Sequence, residues 1–195
     1  MSEMSKEVKQ TIIKISRKLY QRGLVVATDG NVSVRTSEGL HITGVGTVLG
    51  EISEESIATL NERGECVETK STTPSSELEM HLEIYRQRDD VKAIIHAHPP
   101  YCTAFSLSKE AALDCRLTEI EATFGEIPIA PPAQPGTAAV ARSIRTLIRT
   151  HDAIILSNHG ALTVGKSLEE AFGNMERLEH YARICYLAKT LDRGK

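Results

Sequence analysis

The sequence predicts an α/β fold, a mostly antiparallel sheet covered by helices. Three observations predict it. Apolar residues recur at helical spacing near both ends of the chain, while the middle holds short apolar or alternating runs bounded by Gly, Pro, Asn and Asp. The chain has 195 residues, 41% of them hydrophobic, enough for one substantial core. No repeat, low-complexity stretch or linker divides it, so residues 1–195 are expected to form a single domain.

The elements follow in order. Helical periodicity over 5–22 is closed by Gly23, and short strands are expected around Val25, Val32 and His41. Asn61-Glu62-Arg63-Gly64-Glu65 reads as a polar hairpin turn. Pro74 and the pair Ser75-Ser76 supply a helix start signal, and Leu78, His81, Leu82 and Tyr85 then share a helix face, predicting a helix from Ser76 to about Arg88. The run Val91-Lys92-Ala93-Ile94-Ile95 is a strand leading into His96, and a short helix follows Tyr101. Pro131, Pro132 and Pro135 mark a loop between a strand at Ile127 and a helix starting near Gly136. Asp152-Ala153-Ile154-Ile155-Leu156-Ser157 is a strand running into Asn158-His159-Gly160. Ser167-Leu168-Glu169-Glu170 forms a capping box for the last helix, whose apolar stripe is Leu168, Ala171, Phe172, Met175, Leu178, Ala182 and Cys185.

Composition narrows the function classes. A net charge of −3 with scattered Lys and Arg argues against a nucleic-acid surface or a basic membrane face. No apolar run has membrane-spanning length, and Met1-Ser2-Glu3-Met4-Ser5-Lys6 lacks the apolar centre of a signal peptide, so a cytoplasmic protein is expected. Cys66, Cys102, Cys115 and Cys185 are widely spread without a C-x-x-C pair, which fits reduced thiols and no cysteine zinc site.

The informative chemistry lies in His96-Ala97-His98, with Glu77 upstream and His159 downstream. Residues two apart on a strand face one side, so His96 and His98 point at one spot. Three imidazoles and one carboxylate make a ligand set for a catalytic zinc ion, which takes nitrogen and oxygen ligands at roughly 2.0–2.2 Å. An H-x-H pair alone is more often two satisfied surface histidines than a metal site; the strands feeding His96 and His159 favour the metal. Glu77 opens a helix, where the helix dipole favours any acid. His81, four residues later on the same face, is assigned to packing or to supporting the site.

Five ordered blocks between about Arg22 and Leu191 carry a family resemblance. They are Ala27-Thr28-Asp29-Gly30-Asn31-Val32-Ser33-Val34-Arg35, His41-Ile42-Thr43-Gly44-Val45-Gly46, Pro74-Ser75-Ser76-Glu77 with His81 and Tyr85, His96-Ala97-His98 with Cys102-Thr103-Ala104, and Asn158-His159-Gly160-Ala161-Leu162. The chain resembles the class II aldolase and adducin superfamily, in particular fuculose-1-phosphate aldolases and relatives acting on deoxyribulose and methylthioribulose phosphates. The resemblance implies a three-layer αβα fold, a homotetramer with sites at subunit interfaces, and one Zn2+ per subunit held by His96, His98 and His159. It implies that Glu77 is the acid/base carboxylate and ligates the metal when substrate is absent. It also implies a sugar-phosphate substrate whose phosphate is bound at Thr28, Gly30, Asn31, Thr43, Gly44, Ser75 and Ser76. Glycine-rich turns and helix starts with hydroxyl and amide donors suit a phosphate without a Walker-type lysine.

Two departures from the family pattern stand out. Val45 replaces a hydroxyl expected to touch phosphate, leaving backbone N–H groups in that loop as donors. The chain ends at Lys195, where the fuculose enzyme continues with a tail carrying an active-site tyrosine, a departure that counts against fuculose phosphate itself but not against aldolase chemistry on a smaller ketose phosphate. The implied reaction is cleavage of a ketose 1-phosphate into dihydroxyacetone phosphate and an aldehyde, with Tyr101 either protonating the departing alkoxide or simply packed. A methylthioribulose-1-phosphate dehydratase would need a further acid, for which Glu119 and Glu121 are the candidates. A pentose-phosphate 4-epimerase usually has Asp where this chain has Glu77, and a non-enzymatic adducin-like module would be expected to have lost zinc ligands.

Overall fold

The computed structural model describes residues 2–61, 63–67, 72–108 and 113–193. A seven-stranded sheet runs in the order β3-β2-β1-β4-β7-β6-β5, and only the β5–β6 pair is parallel. The strands are β1 (Asn31–Thr36), β2 (Gly39–Thr43), β3 (Ile57–Leu60), β4 (Ala93–Ala97), β5 (Ile129–Ala130), β6 (Ala153–Leu156) and β7 (Gly160–Gly165). The helices are α1 (Glu3–Gln21), α2 (Leu78–Gln87), α3 (Pro100–Leu107), α4 (Thr118–Phe124), α5 (Ala138–Ile144) and α6 (Leu168–Arg193).

Neighbouring strand residues go to opposite cores, as the period of two requires. Ile95 and Ile155 join Ile12, Leu19, Met175 and Leu178 under α1, α3, α4 and α6. Ile94 and Ile154 join Met80, Ile84, Val140 and Ile144 under α2 and α5. Both faces of the central strands are therefore covered by helices, which explains their continuous apolar runs. The whole α6 stripe named above is buried.

Several boundaries shift for local reasons. Ser2 caps α1 by accepting from Ser5 N at 3.0 Å, which starts the helix earlier than residue 5. The strand expected at Val25 is a loop: the Leu24 carbonyl accepts from His98 N at 3.2 Å, Asp29 N closes a turn on Val26 O, and Ala27 has a φ of 46°. The strand expected at Ile127 sits at Ile129–Ala130, and α5 begins after Thr137, whose hydroxyl accepts from Ala139 N. The turn at 61–65 is closed by Gly64 N on Asn61 O and Asn61 N on Glu65 O, with Glu62 outside the described residues. Ser167 caps α6 through Glu170 N, but the Glu170 carboxylate reaches the Lys166 N–H rather than that of Ser167. The elements β3, β7 and α4 add to those the sequence predicts. No helix among the described residues is long and apolar enough to cross a membrane.

Candidate metal centre and substrate cleft

His96 is the next-to-last residue of the central strand β4, His98 lies just beyond its end, and His159 sits in the short turn between β6 and β7. The Nε2 atoms of His96 and His98 are 3.1 Å apart, and one ligand nitrogen from each of the three histidines lies within 4.8 Å of the others. The turn is pinned by Asn158 N on Ser106 O and His159 N on Leu156 O, with Asn158 at a φ of 57°. Gly160 permits the close approach. A Cβ there would lie 2.5 Å from Ala97 O and 2.6 Å from His98 Cδ2. On the other side Gly30, at a φ of 78°, runs so close that a Cβ would be 2.9 Å from His96 O.

The imidazoles are set up as lone-pair donors. His96 Nδ1 is 3.0 Å from the Ala161 carbonyl, which can only accept, so this nitrogen carries the proton and Nε2 is bare. Burial, with His159 and His98 nearby, drives the His96 pKa well below its ordinary value, and burial takes His159 down to about 4. His98 turns Nδ1 toward Asp29, 3.5 Å away, and Nε2 toward the cluster.

Glu77 occupies the N-cap position of α2, ahead of the helix rather than within its first turn. Its Oε1 accepts from Gly136 N at 3.0 Å. Its Oε2 is buried without a hydrogen-bond partner, 3.3 Å from His96 Nε2. Because His96 is neutral with a bare Nε2, this contact is not an ion pair. It sets two lone-pair atoms against each other, an arrangement that a cation between them would relieve. The donor set, neutral imidazoles with a carboxylate and no thiolate, suits a divalent metal such as zinc. Burial raises the Glu77 pKa, partly offset by the Gly136 N–H and by His98.

A cleft of about 160 Å³ opens beside this cluster. Thr28, Gly30, Asn31, Gly44, Ser75 and Ser76 line it with Glu77 and the three histidines. Thr43 does not line it. Its side chain is buried, its hydroxyl accepts from Val32 N at 3.1 Å, and its carbonyl accepts from Ser75 N. Backbone donors in the Val45 loop are fewer than expected, because Gly44 N is given to Ser56 O and Val45 N to Thr73 O. Ser75 Oγ accepts from Glu77 N at 3.2 Å. No lysine or arginine among the described residues lines the cleft.

His81 lies behind the site, buried between Ser33 Oγ and Asn31 Oδ1, and burial lowers its pKa to about 3. Tyr101 packs on Tyr186 of α6, outside the cleft. Glu119 and Glu121 lie exposed on α4, also outside it. A larger depression, about 590 Å³, beside Arg22, Tyr101 and α6 contains none of the candidate ligands. Sequence reasoning passed over Gly136 and gave Asp29 no role. Both belong to loops whose partners are distant in the chain, and the only local signals were the Pro135-Gly136 and Asp29-Gly30 turn dipeptides.

The model of the family described as class II aldolase and adducin N-terminal domain matches residues 10–186. The chain belongs to this family. This class II aldolase family member is 38% identical over 179 residues to an L-fuculose phosphate aldolase of Methanococcus maripaludis, covering 92% of this chain and 96% of the relative. It is 32% identical to a 3-oxo-tetronate 4-phosphate decarboxylase of Pectobacterium atrosepticum, over 90% of this chain and 82% of that one. The L-fuculose-1-phosphate aldolase structure from Thermus thermophilus superimposes with a TM-score of 0.80 at 32% identity, covering 96% of each chain.

Proposed function

We propose that this family member is a zinc-dependent aldolase that cleaves a ketose 1-phosphate of the fuculose, 5-deoxyribulose or methylthioribulose type into dihydroxyacetone phosphate and an aldehyde. The observation that carries the reading is Glu77, with one carboxylate oxygen held by Gly136 and the other facing the bare nitrogen of His96. His96, His98 and His159 would hold the metal, with Glu77 as a fourth ligand when substrate is absent. A divalent cation held there supplies Lewis-acid stabilisation for negative charge developing on the substrate oxygens.

The residues of the chain do the rest. Breaking the C3–C4 bond turns the C4 hydroxyl into the aldehyde carbonyl, its proton passing to solvent, and leaves an electron pair at C3, to which Glu77 gives a proton before being reprotonated from solvent. Burial raises the Glu77 pKa, which eases uptake of the proton it delivers. Gly136 N–H holds the carboxyl in place through Oε1. The phosphate end is bound by neutral donors at Thr28, Gly30, Asn31, Ser75 and Ser76, with Gly44 as a wall. Thr43 acts through its carbonyl, which anchors Ser75. Such binding holds the substrate at a distance from the breaking bond and orients it. A homotetramer with the clefts at subunit interfaces is part of the same proposal.

A second reading, decarboxylation of a 3-oxo acid phosphate, draws on the relative from Pectobacterium. Loss of CO2 from 3-oxo-tetronate 4-phosphate and retro-aldol cleavage of a ketose 1-phosphate leave the same three-carbon phosphate, so both use one proton transfer. Asp29 favours the aldolase. Its carboxylate stands beside His98 at the edge of the cleft, and a substrate bringing its own carboxylate meets like charge there. Incubating the zinc-loaded protein with a panel of ketose 1-phosphates and with 3-oxo-tetronate 4-phosphate separates the two. Aldehyde and dihydroxyacetone phosphate in equal amounts are expected from a ketose phosphate; CO2 from the acid, with no aldehyde from any ketose, moves the assignment to the decarboxylase.

A further inference from the structure

Behind the cleft, four buried side chains form one hydrogen-bonded row with no part yet in the chemistry. Tyr85 Oη is 2.8 Å from Ser33 Oγ, Ser33 Oγ is 2.7 Å from His81 Nδ1, and His81 Nε2 is 2.6 Å from Asn31 Oδ1. Ser33 and His81 are fully enclosed, and Tyr85 and Asn31 nearly so. Burial keeps His81 neutral at pH 7, so its ring has one proton on one nitrogen.

Two proton arrangements satisfy this row, one running away from Asn31 and one toward it. Running away, the Asn31 amide turns over, its NH2 donates to His81 Nε2, and the Tyr85 hydroxyl must end on the Lys92 carbonyl. That carbonyl is 3.5 Å away and already accepts from Arg35 N at 2.8 Å. Running toward Asn31, Tyr85 donates to Ser33, Ser33 donates to His81 Nδ1, and His81 Nε2–H donates to Asn31 Oδ1. Every link is then between 2.6 and 2.8 Å, the length of a short, well-formed hydrogen bond, whereas 3.5 Å is beyond the ordinary range. Arg35 steadies the far end, with its guanidinium 4.7 Å from the Tyr85 ring centre and donating to the Tyr85 carbonyl.

We propose that Tyr85, Ser33 and His81 are positioning residues that fix the Nε2–H tautomer of His81 and so turn the Asn31 amide NH2 toward the cleft, as a donor to the anionic end of the substrate. Asn31 lines the cleft, its carbonyl oxygen is taken by His81, and its NH2 has no partner among the described residues. With Oδ1 turned to His81 behind the cleft, the NH2 is left for the side on which Asn31 lines it. Direction matters because no lysine or arginine among the described residues lines this cleft. An amide turned over would point its carbonyl oxygen at a phosphate and convert attraction into repulsion.

The proposal rests on the cleft being a phosphate site, and two measurements keep the claims apart. The first is the ring 15N–1H correlation spectrum of histidine in the zinc-loaded wild-type protein, which needs no variant. It should show His81 protonated at Nε2; protonation at Nδ1 overturns the relay. The second is calorimetric binding of inorganic phosphate to zinc-loaded wild type, Ser33→Ala and Ser33→Thr. Removing the hydroxyl should weaken phosphate binding about tenfold, the scale of one oriented hydrogen bond. It should raise KM for a turned-over ketose 1-phosphate by a similar factor with kcat within about twofold, since only binding common to ground and transition states is lost. Ser33→Thr restores the hydroxyl and should restore binding. Unchanged phosphate binding in a folded Ser33→Ala protein overturns the relay alone, whereas a wild-type protein that does not bind phosphate overturns both the relay and the phosphate cleft.

Discussion

Gly160→Ala gives a strong test of how the three-histidine cluster is built. The added Cβ would sit 2.5 Å from Ala97 O and 2.6 Å from His98 Cδ2, about 1 Å inside ordinary van der Waals contact. The carbonyl is held by the sheet, since Ala97 pairs with Ala161 between β4 and β7. The strain therefore falls on His98, whose ring must shift by up to about 1 Å, against a tolerance of roughly 0.2 Å in metal–ligand distances. Overpacking of this kind costs about 1–3 kcal/mol, lowering Tm by roughly 5 °C in a chain of this size. Zinc affinity should fall at least about tenfold, and turnover by about a hundredfold, the scale attached to a 1 Å misplacement. Gly173→Ala on α6 is the matched control. Its nearest neighbour would be the Arg177 Nη1 at 3.7 Å, and Ala is the better helix former, so stability should hold or rise. Thermal melts and a competitive chelator titration read both effects. A Gly160→Ala protein with wild-type Tm and wild-type zinc affinity would refute the claim that backbone proximity positions His98.

Three further outcomes follow from the same geometry. Glu77→Gln should lower kcat by about 100- to 10,000-fold while elemental analysis still finds zinc on the three imidazoles; a full loss of metal would make Glu77 chiefly a ligand. Glu119→Gln and Glu121→Gln should each leave steady-state turnover within about twofold, because both side chains are exposed on α4 outside the cleft; a large drop with a dehydrated product would indicate the dehydratase. His81, depressed from 6.5 to about 3, makes chelator-treated protein acid-sensitive. Between those values the unfolded chain binds a proton the folded one does not, so its contribution is full above pH 6.5 and is lost as pH falls toward 3. From pH 7 to 5 the loss from this residue is about 2 kcal/mol at most, and urea unfolding of His81→Gln should show a correspondingly flatter pH dependence.

What the sequence revealed of this site was what lies close together along the chain. His96 and His98 were readable because a strand's period of two aims them alike, and His159 because an apolar strand delivers it to a turn. The hold of Gly136 on Glu77 was not readable: it spans 59 positions and depends on how the loop before α5 folds back over α2. The loop at 24–30 shows a similar limit. Val25 looks like a strand residue, yet the Leu24 carbonyl is used by His98 N, and that bond brings Thr28, Asp29 and Gly30 to the cleft. Likewise Thr43 offers a hydroxyl in a promising loop, but that hydroxyl accepts from the Val32 N–H. Motifs announce which groups exist; their remaining hydrogen-bond capacity is set by distant backbone.

The central claim is that Glu77, beside the three-histidine cluster, moves a proton at the carbon next to the carbonyl of dihydroxyacetone phosphate. It can be tested without knowing the aldehyde. Dihydroxyacetone phosphate is incubated alone with the zinc-loaded protein in D2O and followed by proton NMR. The account predicts loss of one of the two C3 hydrogens, stereospecifically, in wild type, and loss of that exchange by about 100-fold or more in Glu77→Gln with zinc still bound. No exchange in the zinc-loaded wild type, or equal exchange in Glu77→Gln, would contradict it.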